Sequence, residues 1–292
     1  MMPMTDDQQT IRYISERRCA SGGYCFYRLD EPNAADTFYA LASLALLDAL
    51  PVDPPTLSYL QMFQRKDGSF ANINVGHAIC RSLLIVSERP DRDPVAWLRA
   101  EMVPPGTNER PVESVSLFSN LYLCTDLCMI LGVPVPEDKR AEIVNAVLEY
   151  RHTSGGFGNG RPTLVETCHA VAILSALGCA EPLQQSTGFL ETCGDPEFGF
   201  LAVPGVRPAF LEHVHAGLRA GSLVGGVRFP EACRNFIGRC RLDNGGYARS
   251  VFGGAATLEN TYLALAARSF FETSIGSGSK KTGATDPLRC CD

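Results

Sequence analysis

The chain has 292 residues, of which 45% are hydrophobic and 20% charged, with a formal net charge of -6. That supports one large core or two modest ones. The acidic balance, with no basic stripe, argues against a nucleic-acid backbone as partner. No apolar stretch approaches the roughly 18 residues a membrane span needs, so no integral membrane segment is expected. The opening residues MMPMTDDQQTIRYISERR are polar and lack the apolar run of a signal peptide. Twelve cysteines are scattered through apolar helical patterns, as at Cys80, Cys124, Cys128 and Cys179. They read as reduced, buried small hydrophobes, and a cytoplasmic protein is expected.

Taken in chain order, the sequence repeats one plan six times. The polar-faced stretch TDDQQTIRYISERR leads to the turn SGGYCF at Ser21 and the apolar helix DTFYALASLALL from Asp36. PPTLSYLQMFQRK leads to KDGSFA at Lys66 and NVGHAICRSLLIV from Asn74. DPVAWLRAEM leads to the loop PPGTNERP, where the glycine-aromatic turn has degenerated, and SNLYLCTDLCMIL from Ser119. EDKRAEIVNAVLEYRH leads to SGGFGN at Ser154 and ETCHAVAILSAL from Glu166. EPLQQSTGFLETC leads to EFGFLA at Glu197 and EHVHAGLRAGSLV from Glu212. FPEACRNFIGRCR leads to NGGYAR at Asn244 and ENTYLALAARSFF from Glu259. Several of the polar-faced stretches begin with Pro, Asp or Glu, as helix N-termini do.

Two columns emerge when the repeats are aligned. One holds Tyr39, His77, Tyr122, His169, His215 and Tyr262, at steps of 38, 45, 47, 46 and 47 residues. The other, three residues earlier, holds Asp36, Asn74, Ser119, Glu166, Glu212 and Glu259. A helix apolar nearly all round is buried on all sides. Six polar-faced and six apolar helices therefore predict an all-α fold, an α/α toroid of six helix pairs with an inner and an outer ring. Residues 1–272 are expected to form this single domain. The Gly/Ser/Lys-rich residues 273–292 are expected to be a disordered tail, and the paired Cys290 and Cys291 read as incidental, since they do not form a clean C-a-a-X box.

In such a ring the columns converge at one mouth of a central cavity, the default place for a binding site. Phe38, Tyr39, Phe118, Tyr122, Phe210 and Tyr262 would line it and suit an oily ligand. Around Glu166 two readings are open. Thr163-x-x-Glu166 fits a capping box, and a lone Cys168 is a buried filler. Alternatively, Glu166, Cys168 and, one repeat on, His215 offer a carboxylate, a thiolate and an imidazole, the three-ligand pattern of catalytic zinc with an open fourth position.

The motifs GGFGNGRPTLVETCHA and EHVHAG resemble the β subunits of the protein prenyltransferases, the farnesyl and geranylgeranyl transferases. The resemblance covers about residues 5 to 272 as a repeat pattern. It implies an α/α toroid with a lipid-diphosphate pocket and a Zn²⁺ ion on Glu166, Cys168 and His215. It further implies a prenyl diphosphate substrate, a cysteine-containing acceptor peptide or protein, and a partner subunit of the α type. Arg161 corresponds to a diphosphate contact. His169 replaces the family's tyrosine, Glu166 its aspartate, and the family's lysine in the loop is missing. The expected reaction is thiol alkylation, with Arg161 and His169 offsetting charge as diphosphate leaves. Three competitors stand beside it. A terpene cyclase would need a D-x-D-D acid that the chain lacks. A carbohydrate-active toroid would want stacking tryptophans, and the chain has only Trp97. The third is a toroid that binds lipid or protein without chemistry.

Overall fold

The computed structural model describes residues 4–105, 116–226 and 229–275. In chain order the elements are α1 (Asp6–Ser15), α2 (Ala34–Leu46), α3 (Pro54–Gln61), α4 (Ile73–Ile85), α5 (Val95–Glu101), α6 (Ser119–Leu131), α7 (Glu137–Leu148), α8 (Leu164–Ala176), α9 (Ala180–Gln185), α10 (Thr187–Thr192), β1 (Gly194–Asp195), β2 (Gly199–Phe200), α11 (Leu211–Val224), α12 (Pro230–Arg239) and α13 (Leu258–Ile275). The six expected apolar helices are α2, α4, α6, α8, α11 and α13. The polar-faced set is α1, α3, α5, α7, α9 with α10, and α12. The fifth polar-faced helix is broken in two at Ser186, next to the weak helix formers Thr187 and Gly188. The strands β1 and β2 pair antiparallel, Gly194 opposite Phe200, around the fifth glycine turn. Most of the loop PPGTNERP, and Cys290 and Cys291, lie outside the described residues, as do positions 276–292 of the expected tail. Among the described residues no helix is long and apolar enough to cross a membrane.

The chain divides into two compact units. Among the described residues, unit 1 comprises 4–94 and 237–275, and unit 2 lies between Val95 and Phe236. In unit 1, α2 packs between α4 and α13. In unit 2, α8 packs between α6 and α11. The buried faces are those the sequence makes apolar, such as Phe38, Leu41 and Leu44 on α2 and Val171, Ile173 and Leu174 on α8.

The glycine-aromatic turn fixes how each polar-faced helix meets its neighbour. Gly245 sits at φ +89°, and a Cβ there would lie 2.4 Å from the carbonyl oxygen of Gln9 on α1. Gly246 has the ring of Tyr13 against it, 2.6 Å from an added Cβ. The same arrangement recurs where Gly22 and Gly23 meet Pro55 and Tyr59, and where Gly155 and Gly156 meet Gln185 and Phe189. The aromatic residue that follows is tied to the next apolar helix. The N–H groups of Tyr24, Phe157 and Tyr247 donate to the hydroxyls of Thr37, Thr167 and Thr261 at 2.9–3.2 Å. These buried threonines follow Asp36, Glu166 and Asn260, so the repeated acidic or amide residue followed by Thr marks the joint between turn and helix.

The ten described cysteines form no disulfide, and all but Cys179 are buried. Burial pushes the thiols of Cys80, Cys193, Cys233 and Cys240 up to about 12. They are neutral packing groups, as a small soft hydrophobe in a core should be.

Asp53 carries the clearest electrostatic contribution to unit 1. Its carboxylate accepts two 2.6 Å hydrogen bonds from Arg18 and caps α3 through Thr56. The hydrogen bond from Arg18 is the main cause that holds this carboxyl below its ordinary range. Asp53→Asn keeps a capping side chain but removes the charge. It is expected to cost about 1.5 kcal/mol at neutral pH. The folded-state pKa lies below the unfolded one, so this contribution is present above about pH 4 and fades as pH falls through the lowered value. Urea denaturation of both proteins at pH 7 and pH 3 checks it: the gap should narrow at the lower pH.

Candidate functional site

The acidic column proves to be the first turn of its helices. Asp36 accepts hydrogen bonds from the N–H of Phe26 and the side chain of Asn33, at 2.9 and 2.7 Å. On α8, Thr163 is the N-cap, its hydroxyl accepting from the N–H of Glu166 at 3.2 Å. The same hydroxyl lies 3.1 Å from Oε2 of Glu166. The N–H of Thr163 instead donates to the carbonyl of Phe157, so only the first half of a capping box forms. Glu166 is buried against the loop before it: a Cβ on Gly158 would come within 2.6 Å of its Oε2. Arg161 is exposed in that loop, two residues before the cap. His152 braces the loop with Nε2 at 3.1 Å from the carbonyl of Gly158.

The second column does converge within unit 2. The rings of Tyr122 on α6 and His169 on α8 stack at 4.3 Å with an interplanar angle of 5°. His169 is half-buried as a residue, but its Nδ1 is sealed from solvent and has no hydrogen-bond partner. Burial, and next the neighbouring His215 on α11, push its pKa down to about 4. The imidazole is therefore neutral at pH 7 and offers hydrogen bonding rather than a fixed positive charge.

One turn further along the same helices stands a pair of charges that the column analysis passed over. Arg219 on α11 pairs with Asp126 on α6 at 3.4 Å, and it also donates to the hydroxyl of Tyr122. Its guanidinium lies 4.9 Å from the Tyr122 ring centre. The side chain of Asp126 is 2% exposed and that of Arg219 17%. These residues border a small pocket of about 50 Å³, partly open to solvent, whose lining also includes Thr125, Met129, Ala172, Ser175, Ala176 and Leu223. The signal that could have found them was present: each is a charged residue inside an otherwise apolar helix, four positions after a column residue, Tyr122 or His215.

The expected aromatic lining is distributed unevenly. In unit 1, Phe38, Tyr39 and Tyr262 form a cluster with ring centres 5.3–5.6 Å apart. His77 is buried with its ring edge toward Phe38, as a core or lining residue. Burial, and then Glu259, whose carboxylate accepts from the Tyr39 hydroxyl at 3.3 Å, raise the Tyr39 pKa well above the ordinary value. In unit 2, Tyr122 lines the pocket. Phe118 is fully buried with its ring edge toward Tyr150 and Phe157, in a core position. Phe210 is the N-cap residue of α11; its N–H donates to Nδ1 of His213 at 3.3 Å.

Glu166, Cys168 and His215 supply the donor types that suit zinc. Among the described residues, however, no three His, Cys, Asp or Glu side chains are grouped so that they could hold an ion. The Glu166 carboxylate is turned onto Thr163, and Cys168 is buried. As they stand, these residues do not fit a bound metal.

Comparison with known proteins bears on the same architecture. A family model, the prenyltransferase alpha-alpha toroid domain, matches residues 2–87 and 108–272. Among solved structures the chain is similar to protein geranylgeranyltransferase-I of Candida albicans in complex with GGPP. The identity is 13%, the TM-score 0.72, and 94% of this chain and 93% of that one are covered. It is also similar to a protein from Actinoplanes, with 14% identity, a TM-score of 0.55, and coverage of 92% and 98%. At these identities the likeness shows the fold, an all-α toroid. No curated protein matches the sequence.

Proposed function

Because the chain belongs to the prenyltransferase alpha-alpha toroid family, we propose that it transfers a prenyl group from a prenyl diphosphate to a cysteine thiol of an acceptor peptide or protein. The observation that carries this reading is the stack of Tyr122 on His169, with His215 beside it, from three consecutive apolar helices, Tyr122 also bordering a small pocket of mixed polar and apolar lining. Aromatic and apolar side chains beside a few convergent polar groups suit a ligand with a charged head and an oily body. The buried, unpartnered Nδ1 of His169 supports a ligand at that level. The similarity to an enzyme solved with GGPP supports a diphosphate headgroup.

In this reading the bond from prenyl C1 to the diphosphate oxygen breaks, and its electron pair leaves with diphosphate. The acceptor sulfur bonds to C1, and its proton passes to diphosphate or solvent. Arg161, in the loop leading into α8, stabilises the departing charge, and neutral His169 hydrogen-bonds to it. Tyr122 lies against the prenyl tail.

The test is calorimetric binding of prenyl diphosphates to the whole chain, followed by transfer assays with cysteine peptides. Binding with a Kd in the micromolar range, weakened about tenfold or more by Arg161→Ala, supports the reading. Absence of binding for every prenyl diphosphate overturns it. Binding without transfer in the presence of any peptide favours a lipid-binding toroid.

Zinc on Glu166, Cys168 and His215, which the sequence resemblance implies, is not part of this proposal, because the residues as placed do not fit it. It requires the Glu166 carboxylate to leave Thr163. Elemental analysis of protein purified without chelators decides between the arrangements. The observed geometry leads us to expect well below about one zinc per chain. A full equivalent, lost in both Cys168→Ser and His215→Ala, would assign the three residues to a metal.

A further inference from the structure

One side chain of α11 reaches two residues of α6. Tyr122 and Asp126 lie four positions apart on α6, so both stand on the same face of that helix. One terminal nitrogen of the Arg219 guanidinium donates to the Tyr122 hydroxyl, and the other pairs with the Asp126 carboxylate at 3.4 Å. The helix α8 packs between α6 and α11. To the small pocket beside this bridge it contributes only Ala172, Ser175 and Ala176, and their short side chains leave the guanidinium its path. A buried ion pair is a weak source of stability, because apolar residues of similar volume would join the helices without desolvating two charges. What the pair adds is direction.

The Tyr122 ring tethered in this way lies on the His169 imidazole, with 4.3 Å between centres and 5° between planes. An aromatic stack alone is a weak restraint and leaves both rings free to turn about their side-chain torsions. A planar fork engaged at both tips fixes where the tyrosine hydroxyl sits. We propose that Arg219, anchored by Asp126, is a positioning residue: it holds Tyr122 flat against His169 and thereby fixes the plane of the imidazole that meets the leaving diphosphate. That last role rests on the transfer reading above. Arg219 touches neither diphosphate nor acceptor; it acts through Tyr122. A misaimed hydrogen-bonding group fails most where charge develops, so the loss falls on turnover rather than on substrate affinity.

Isotope labelling of the histidine rings in the whole chain tests this by magnetic resonance. The chain has five histidines, and His169→Gln assigns the signal of interest. Stacking places the imidazole protons in the ring current of Tyr122, so Tyr122→Leu should move the His169 signal downfield. Arg219→Lys is the deciding variant. Its ammonium still pairs with Asp126 but lacks the fork and cannot also hold the hydroxyl. Its thermal stability should stay close to wild type while the His169 signal moves most of the way to its position in Tyr122→Leu. Tyr122→Phe, which keeps the ring and loses only the tethered hydroxyl, should do the same. In transfer assays with farnesyl and geranylgeranyl diphosphates and a cysteine peptide, both variants should lower kcat about tenfold and change KM for the diphosphate less than about threefold. The proposal is overturned if either variant keeps the wild-type His169 signal, or if KM rises while kcat holds. An unmoved signal in Tyr122→Leu overturns the stack itself. Absence of transfer by wild type overturns the transfer reading, and the resonance still decides whether Arg219 holds the stack.

Discussion

Gly245→Ala is expected to lower the free energy of unfolding by about 3 kcal/mol. Two costs combine. The residue sits at φ +89°, where an L side chain is strained by about 1–2 kcal/mol. The new Cβ would also lie 2.4 Å from the carbonyl oxygen of Gln9, and that obstacle is backbone, which cannot swing aside. Gly132→Ala is the matched control, because its φ is +70° and nothing lies within 4 Å of an added Cβ. It should show the strain alone, about 1 kcal/mol. Urea denaturation of both variants gives the difference. Equal losses would mean that the contact between the last glycine turn and α1 contributes nothing.

Asp126→Leu alone is expected to cost about 3 kcal/mol, since it removes the carboxylate paired with the Arg219 guanidinium, whose side chain is only 17% exposed. Asp126→Leu/Arg219→Leu should recover most of that loss and lie within about 1 kcal/mol of wild type, because an apolar pair of similar volume replaces a desolvated ion pair. Thermal and urea denaturation of the two single variants and the double variant close a mutant cycle. The signature is strong non-additivity, with the double variant more stable than Asp126→Leu. Simple addition of the single losses would show that the two charges do not interact in the folded chain.

The repeat made the six apolar helices legible, because an all-round apolar helix next to a glycine-aromatic turn recurs at nearly constant spacing. The column of Tyr122, His169 and His215 was legible for the same reason, and two of its rings do stack. The local reading of Thr163 as a cap was also sound. What the sequence concealed depends on side-chain direction. Glu166 and Cys168 carry the donor chemistry of a metal site, but the carboxylate is used locally by Thr163, and no spacing rule reveals that choice. Phe118 resembles a lining residue by position yet faces Tyr150 and Phe157. Asp126 and Arg219 escaped because they sit 93 residues apart and one turn beyond the aligned column. The break at Ser186 depends on weak local propensity, which a hydrophobic pattern does not register.

Unit 1 is assembled from both ends of the chain. Its last glycine turn receives α1, and α13 lies against α2. On the ribosome, the first 94 residues therefore emerge without the segment that completes their core, and they wait through the synthesis of all of unit 2. Unit 2 is continuous from Val95 to Phe236 and has no such wait. Translation thus hands the cell a finished middle and an unfinished beginning, whose apolar face on α2 stays uncovered until the final helix appears. A stop codon before Leu258 would remove a C-terminal helix and, with it, the partner of the N-terminal one.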